Sequence, residues 1–279
     1  MRRTALSLSI LVVVLTAGCA TQLPEVPPIS ESGTYIPGKV VWHDLVTPDL
    51  GGAKAYYGQL FGWTFENVDD DYALIRDRGE LIGGMAEVKS ADSFSYWIPL
   101  VSVTDVDRAV ATTTAAGGRR IVKPFDVPGR GRVAVLEDPQ GATFAVVRSA
   151  HGDPVDREPT ANRWLWHEVW SDDVDRSAAF YSSLVAVYSS AHTEVRDVDY
   201  RYLESGGEPR VGLLKKRDPE IGTTWVSYVR VADVAATVAK ARALGGEVLM
   251  EPRDDLRRGS VAIVADPKGA GLVVQEVRK

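Results

Sequence analysis

One segment of this chain is written twice. Trp42-His43-Asp44-Leu45-Val46-Thr47-Pro48-Asp49 returns as Trp166-His167-Glu168-Val169-Trp170-Ser171-Asp172-Asp173. Ala53-x-x-Tyr56-Tyr57 follows the first copy, and Ser177-x-x-Phe180-Tyr181 follows the second. Further along, Trp97 with Val103-Thr104-Asp105-Val106 matches Trp225 with Val231-Ala232-Asp233-Val234, and Asp138-Pro139-Gln140-Gly141-Ala142 matches Asp266-Pro267-Lys268-Gly269-Ala270. Four landmarks in the same order make this a tandem repeat. Whatever fold one half adopts, the other must adopt too.

The N-terminus reads as an address. Arg2-Arg3 precedes an apolar stretch from Ala5 to Leu15, and Leu15-Thr16-Ala17-Gly18-Cys19 sets small residues before the single cysteine. The run is short for a membrane span and has the length of a secretory signal core. It resembles a bacterial lipoprotein signal, which would make residues 1–18 a signal peptide and Cys19 the lipidated first residue. Thr16 stands where an aliphatic residue is usual, so ordinary cleavage after Ala20 is the rival reading. With one cysteine, no intrachain disulfide can form. Removing residues 1–18 takes away two arginines and no acid, so a chain of formal charge −6 becomes more acidic still. That excludes a general nucleic-acid binder.

Residues 19–38, with Pro24, Pro27, Pro28 and Pro37, read as an extended tether, and the polar stretch 150–162 reads as a linker. The modules then span 39–149 and 163–279, each a domain of ordinary size. Inside module one, Val40–Val46 is a strand. Ala53, Tyr56, Tyr57, Leu60 and Phe61 fall at helical spacing and Gly62 stops the helix. Three strands follow, at 63–68, 72–77 and 80–88. A second strand, helix and three strands run from Tyr96 to 148, with the helix Val106–Ala116 ended by Gly117-Gly118. Module two repeats the scheme, with helices near 174–186 and 234–244.

Paired βαβββ units, a strand leading into Asp-x-x-x-Ala/Ser-x-x-Phe/Tyr-Tyr, and a late Asp-Pro-x-Gly turn together resemble the vicinal oxygen chelate superfamily. That group includes glyoxalase I, extradiol dioxygenases and bleomycin-resistance proteins. The resemblance implies an α+β fold: two tandem modules, each of paired βαβββ units forming a cupped mixed sheet with helices on the outer face. One chain would form the pseudo-dimer that single-module relatives build from two, and so act as a monomer.

In metal-dependent members, side chains from three cup strands hold one divalent ion. Motif alignment puts those positions at Trp42, Ile98 and Ala145 in module one and at Trp166, Val226 and Val273 in module two, none of which can ligate such a cation. The expectation is therefore no metal and no cofactor, and a binding protein rather than an enzyme. Its candidate ligand-binding residues are Trp42, Asp44 and Trp97 in one cup and Trp166, Glu168 and Trp225 in the other. A cup lined by tryptophan with one carboxylate suits a flat or cationic small molecule. The same tryptophans could instead simply fill the cups. His43 and His167 admit two readings. With Asp44 and Glu168 they could form displaced metal or acid/base sites serving a lyase or dioxygenase-like enzyme. Strand alternation could equally turn them to the helix-covered face, each with a buried hydrogen bond. The basic loops Arg130-Gly131-Arg132 and Arg257-Arg258-Gly259 could close over an anion or be solvated connectors. A third reading is an envelope scaffold whose clefts are filled.

The whole points to a membrane-anchored lipoprotein of the cell envelope whose partners are an unidentified small molecule and the membrane. Cys19→Ser is expected to move the protein from the membrane to the soluble fraction. Unchanged partitioning on fractionation would refute the anchor.

Overall fold

The computed structural model describes residues 25–89, 94–195 and 198–277. The expected signal peptide, Cys19 and the start of the tether lie outside them. Module one runs β1 (Val40–Thr47), α1 (Leu50–Phe61), β2 (Thr64–Asn67), β3 (Tyr72–Asp77) and β4 (Glu80–Glu87). Its second half is β5 (Tyr96–Ser102), α2 (Val106–Ala115), β6 (Arg119–Val127), β7 (Gly131–Glu137) and β8 (Thr143–Ser149). Module two repeats this as β9 (Trp164–Ser171), α3 (Val174–Leu184), β10 (Ser189–Val195), β11 (Val198–Ser205) and β12 (Glu208–Lys215). It closes with β13 (Thr224–Val231), α4 (Val234–Ala243), β14 (Glu247–Met250), β15 (Val261–Ala265) and β16 (Gly271–Glu276).

The repeated landmarks are local punctuation. Asp49, Asp105, Asp173 and Asp233 each cap a helix, with the side chain accepting from the backbone N–H three residues on. Such caps contribute about 1 kcal/mol apiece. Gly62 ends α1 at φ 76°, a left-handed turn that costs glycine little. In the Asp-Pro-x-Gly turns, Oδ1 of Asp138 accepts from the Gln140 and Ala142 amides, and Oδ1 of Asp266 from those of Lys268 and Ala270.

Each module forms its own eight-stranded mixed sheet. The orders are β2-β3-β4-β1-β5-β8-β7-β6 and β10-β11-β12-β9-β13-β16-β15-β14. The two βαβββ units of a module meet where β1 runs antiparallel to β5, and β9 to β13. Strand alternation then divides the side chains between two faces. In module one, Trp42, Val46, Leu74, Ile98, Leu100, Val135, Ala145 and Val147 cluster on the cup face. Leu45, Ala73, Ile75 and Met85 pack on the opposite face, under α1.

That helix-covered face does not look outward. The cluster around α1 continues into Val234, Val238 and Ala241 of α4 and into Val229, Val264, Leu272 and Val274 of module two. Its counterpart joins α2 and α3 in the same way. The modules therefore pack helix side to helix side, and the cups open away from each other. A reciprocal set of bonds crosses the join. Tyr57 of α1 donates to Asp266 Oδ2 at 3.3 Å, and Tyr181 of α3 donates to Asp138 Oδ2 at 2.9 Å. Behind each phenol stands a tryptophan: Trp97 Nε1 donates to Tyr57 at 3.1 Å, and Trp225 Nε1 to Tyr181 at 2.8 Å.

This corrects the expectation for Trp97 and Trp225, which belong to the join rather than the cups. Trp97 lies opposite Leu45 and Ile98 opposite Asp44, so Ile98 takes the cup face and Trp97 the helix face. Both indoles are buried, at 8% and 7% exposure. The segment read as a tether also differs in part, because from Glu25 onward it lies on the protein. Val26 and Ile29 are buried, Val26 N–H donates to the Pro128 carbonyl at 3.1 Å, and Ile29 joins the module-one cup cluster.

Replacing Tyr57 or Tyr181 by phenylalanine removes a donor from a buried aspartate at the join. Each is expected to lower unfolding free energy in urea by about 1–3 kcal/mol, the usual cost of an unsatisfied buried group. A value near zero for both would show that the crossing bonds add nothing.

Candidate functional site

The cup of module two centres on a buried carboxylate. β9 sets Trp166, Glu168 and Trp170 on one face by strand alternation. Glu168 is 1% exposed. It accepts from Tyr200 at 2.8 Å, Trp170 Nε1 at 2.8 Å and Tyr228 at 2.5 Å, while Arg257 Nη2 lies 3.8 Å away. Trp166 Nε1 in turn donates to the Tyr200 hydroxyl at 2.8 Å. Burial, then the Glu168 charge, raises both phenols well above the usual tyrosine range, so they remain protonated donors.

Module one builds a smaller version. Trp42 Nε1 and the Tyr72 hydroxyl both donate to Asp44 Oδ1 at 2.9 Å. Arg130 donates from Nη1 to the Tyr72 hydroxyl at 2.7 Å and lies over the Trp42 ring, 4.0 Å from its centre. Leu100 and Val46 stand where module two has Tyr228 and Trp170, which leaves Asp44 fewer donors.

The two cups thus share a tryptophan, a carboxylate, a tyrosine and an arginine. The tyrosines escaped the sequence reading, although Tyr72 and Tyr200 keep the 128-residue offset of Trp97 and Trp225. Gly84 and Gly212 keep it too, and their role is spatial. A Cβ on Gly84 would sit 2.1 Å from the Tyr72 hydroxyl, and one on Gly212 1.9 Å from that of Tyr200. Only glycine lets the phenol reach across the neighbouring strand to the carboxylate. Extending the repeat alignment through the middle strands would have exposed both pairs.

The second cup has an open mouth. Leu165, Trp166, Tyr200, Arg257, Gln275 and Val277 surround a cavity of about 340 Å³. Arg257 is held there by a turn in which Arg257, Arg258 and Gly259 all have positive φ, at 49°, 56° and 72°. Left-handed backbone at two arginines costs on the order of 1–2 kcal/mol each. Strain of this sort collects where a side chain must be aimed. Arg257 Nη1 is fixed further by Gln275 Oε1 at 2.7 Å.

The six residues that motif alignment sets at the superfamily's metal positions, Trp42, Ile98 and Ala145 and Trp166, Val226 and Val273, belong to the cup clusters. They present indole and aliphatic carbon, a set that does not fit a divalent cation. Among the described residues no group of three or more His, Cys, Asp and Glu side chains is placed to hold a metal ion.

His43 and His167 turn to the other face, away from Asp44 and Glu168. That separates the components of the displaced acid/base or metal sites considered above. The two histidines meet each other instead, with Nε2 atoms 2.8 Å apart at the join between modules, and Trp164 stacks on His43 at 3.7 Å. His43 Nδ1 is buried without a hydrogen-bond partner among the described residues. A bare lone pair there is cheaper than an orphaned N–H, so the network assigns the proton to His43 Nε2, with His167 Nε2 accepting. Loss of hydration, then the facing ring, holds His43 well below the usual histidine range. Loss of hydration, then Lys39, brings His167 to about 3. The pair closes the floor of an inter-module cleft of about 1310 Å³. Cationic side chains on its walls are paired, Arg210 with Asp156 and Arg163 with Asp77.

Comparison with known proteins agrees with this architecture. A family model described as a glyoxalase-like domain matches residues 40–147 and again 168–274. The chain belongs to the glyoxalase-like family. A putative glyoxylase, CFP32, from Mycobacterium bovis is 30% identical over 247 residues, covering 85% of this chain and 94% of its own. The anthracycline biosynthesis protein DauV from Streptomyces sp. strain C5 is 31% identical over 271 residues, covering 88% and 95%. Among solved structures, the Mn(II)-bound glyoxalase from Novosphingobium aromaticivorans aligns with TM-score 0.58 at 13% identity, over 86% of this chain and 82% of that one. The 2,3-dioxygenase LapB from Pseudomonas sp. KL28 aligns with TM-score 0.59 at 11% identity, over 88% and 94%. At such identities the structures establish the fold alone.

In this glyoxalase-like protein the histidine pair sets a pH limit. Their folded-state pKa values lie below the unfolded value of about 6.5, so their contribution is complete above that pH and fades as pH falls toward 3. Between about pH 6.5 and 5, where most carboxylates stay ionised, the melting temperature is expected to drop. The drop should be largely absent in a His43→Gln/His167→Gln variant. An identical slope in both proteins, read by differential scanning calorimetry, would remove the pair from the pH response.

Proposed function

We propose that this glyoxalase-like protein is an exported, lipid-anchored binder of a small planar molecule. The ligand is held without a metal in the cup of module two. The observation that carries the reading is the open mouth of that cup, whose size lies at the small end of ligand sites. Trp166 and Tyr200 offer it flat surfaces and Arg257 a charge, above a carboxylate whose donors already hold it in place. Where metal-dependent relatives need ligating side chains, this cup has Trp166, Val226 and Val273, so recognition rests on stacking and hydrogen bonding. Each polar group around Glu168 is tied to another, which pre-forms the site and lowers the ordering cost of binding.

The Streptomyces relatives described as anthracycline biosynthesis proteins supply a test ligand of matching shape. An anthracycline titrated into the mature protein is expected to quench tryptophan fluorescence saturably and to raise the melting temperature. Neither effect should change in EDTA. Trp166→Ala is expected to weaken binding by about tenfold or more, equivalent to roughly 1.4 kcal/mol. Loss of binding in EDTA would overturn metal independence. Full affinity in Trp166→Ala would move the ligand elsewhere.

A further inference from the structure

Arg130 presents an arrangement that the module-two reading does not use. Its side chain is buried at 4% exposure, inside the cup of module one. One nitrogen, Nη1, is taken by Tyr72, and the face of the guanidinium lies on Trp42. The remaining nitrogens, Nε and Nη2, are buried and have no hydrogen-bond partner among the described residues.

These two N–H groups form a single edge of the guanidinium, the one that grips a carboxylate with two parallel bonds. Elsewhere this protein uses that edge in just this way. Arg119 sends Nε and Nη2 to the two oxygens of Glu137, both at 2.7 Å. Arg132 sends the same pair to Asp107 at 2.8 and 3.1 Å. Arg130 has the fork without the acid. Asp44 does not fill it, because Asp44 Oδ1 is engaged by Trp42 and Tyr72, and the phenol stands between it and the arginine. A buried cation with unpaired donors is costly enough to call for an occupant.

From this geometry we propose that Arg130 is the seat of a second binding site, for a small carboxylate or inorganic oxoanion, covered by the segment 25–30. The anion sits on the Nε–Nη2 edge, and its charge offsets that of the guanidinium. A cationic ligand is excluded at this tryptophan, because Arg130 already occupies the cation–π position over Trp42.

The cover is built for closeness. Val26 bonds to Pro128, two residues before Arg130, and Ile29 is buried among the cup side chains. A Cβ on Gly129, where φ is 80°, would lie 2.0 Å from the Val26 carbonyl oxygen, so glycine alone lets the segment rest on the loop that carries Arg130. Anion entry therefore requires residues 25–30 to lift. The corresponding arginine of module two has its nitrogens on Gln275 and toward Glu168, so the vacant fork is a property of module one.

The test is calorimetric titration of the mature protein, prepared free of carboxylate and phosphate buffers, with sodium acetate and separately with inorganic phosphate. One-to-one saturable binding of acetate, phosphate or both is expected, and comparing the two distinguishes a carboxylate site from an oxoanion site. Arg130→Lys keeps the charge, loses the fork, and should weaken binding at least tenfold. Ile29→Ala leaves the guanidinium intact and loosens the cover, so it should bind severalfold tighter and more quickly. Absence of saturable binding in both wild type and Ile29→Ala would overturn the site, as would undiminished binding in a folded Arg130→Lys. Equal affinity and rate in Ile29→Ala would overturn the role of the cover. The anthracycline titration reports module two through Trp166→Ala and the anion titration reports module one through Arg130→Lys, so either idea can fail without the other.

Discussion

The two modules hold each other by their helix faces, and most of the remaining structure follows from that contact. The apolar face of a sheet and the apolar stripes of its helices must be buried against another element. Here each module supplies the cover for the other. Tyr57 and Tyr181 reach across to Asp266 and Asp138, the acids that shape the late turns of the opposite module. Burial raises both acids above the usual carboxylate range, and the crossing phenols and turn amides pull the other way. The same groups therefore shape a turn and join two halves. His43 and His167 close the centre of the contact, neutral and sharing one proton.

With the helix faces spent on each other, the cups are left to face outward, and the copies are free to diverge there. Both retain tryptophan, carboxylate, tyrosine and arginine. Module two has Trp170 and Tyr228 around its carboxylate and an open mouth beneath a strained arginine turn. Module one has Leu100 and Val46 at those places and took Ile29 into its cup. One scaffold thus offers two environments, an open aromatic cup and a covered one with an unfilled guanidinium edge.

Much of this was legible because the repeat supplies its own alignment. Comparing the copies placed the helices within a few residues and put Trp42 and Trp166 in the cups. It also kept open the reading in which the histidines turn away from their neighbouring acids. What failed was the assignment of Trp97 and Trp225 to the cups. Adjacent residues of a strand face opposite ways, and a pattern match of the motif says nothing about which face the tryptophan takes. Tyr72 and Tyr200 were overlooked because a tyrosine in a strand is ordinary. Its meaning lay in a glycine on the neighbouring strand and a carboxylate on the one beyond.

The amino-acid sequence by itself determined that there are two copies of one α+β module, and where their helices begin and end. These are matters of spacing, capping and side-chain chemistry, all local in the chain. Only the tertiary structure decided that the modules pack helix to helix, that Arg130 and Arg257 fold back over the aromatic cups, and that one cup is covered while the other stays open. Those outcomes join residues far apart in the chain: Tyr57 with Asp266, Tyr72 with Arg130, and Ile29 with the strands of module one. No local pattern encodes such pairs, because each is selected by how two finished surfaces fit.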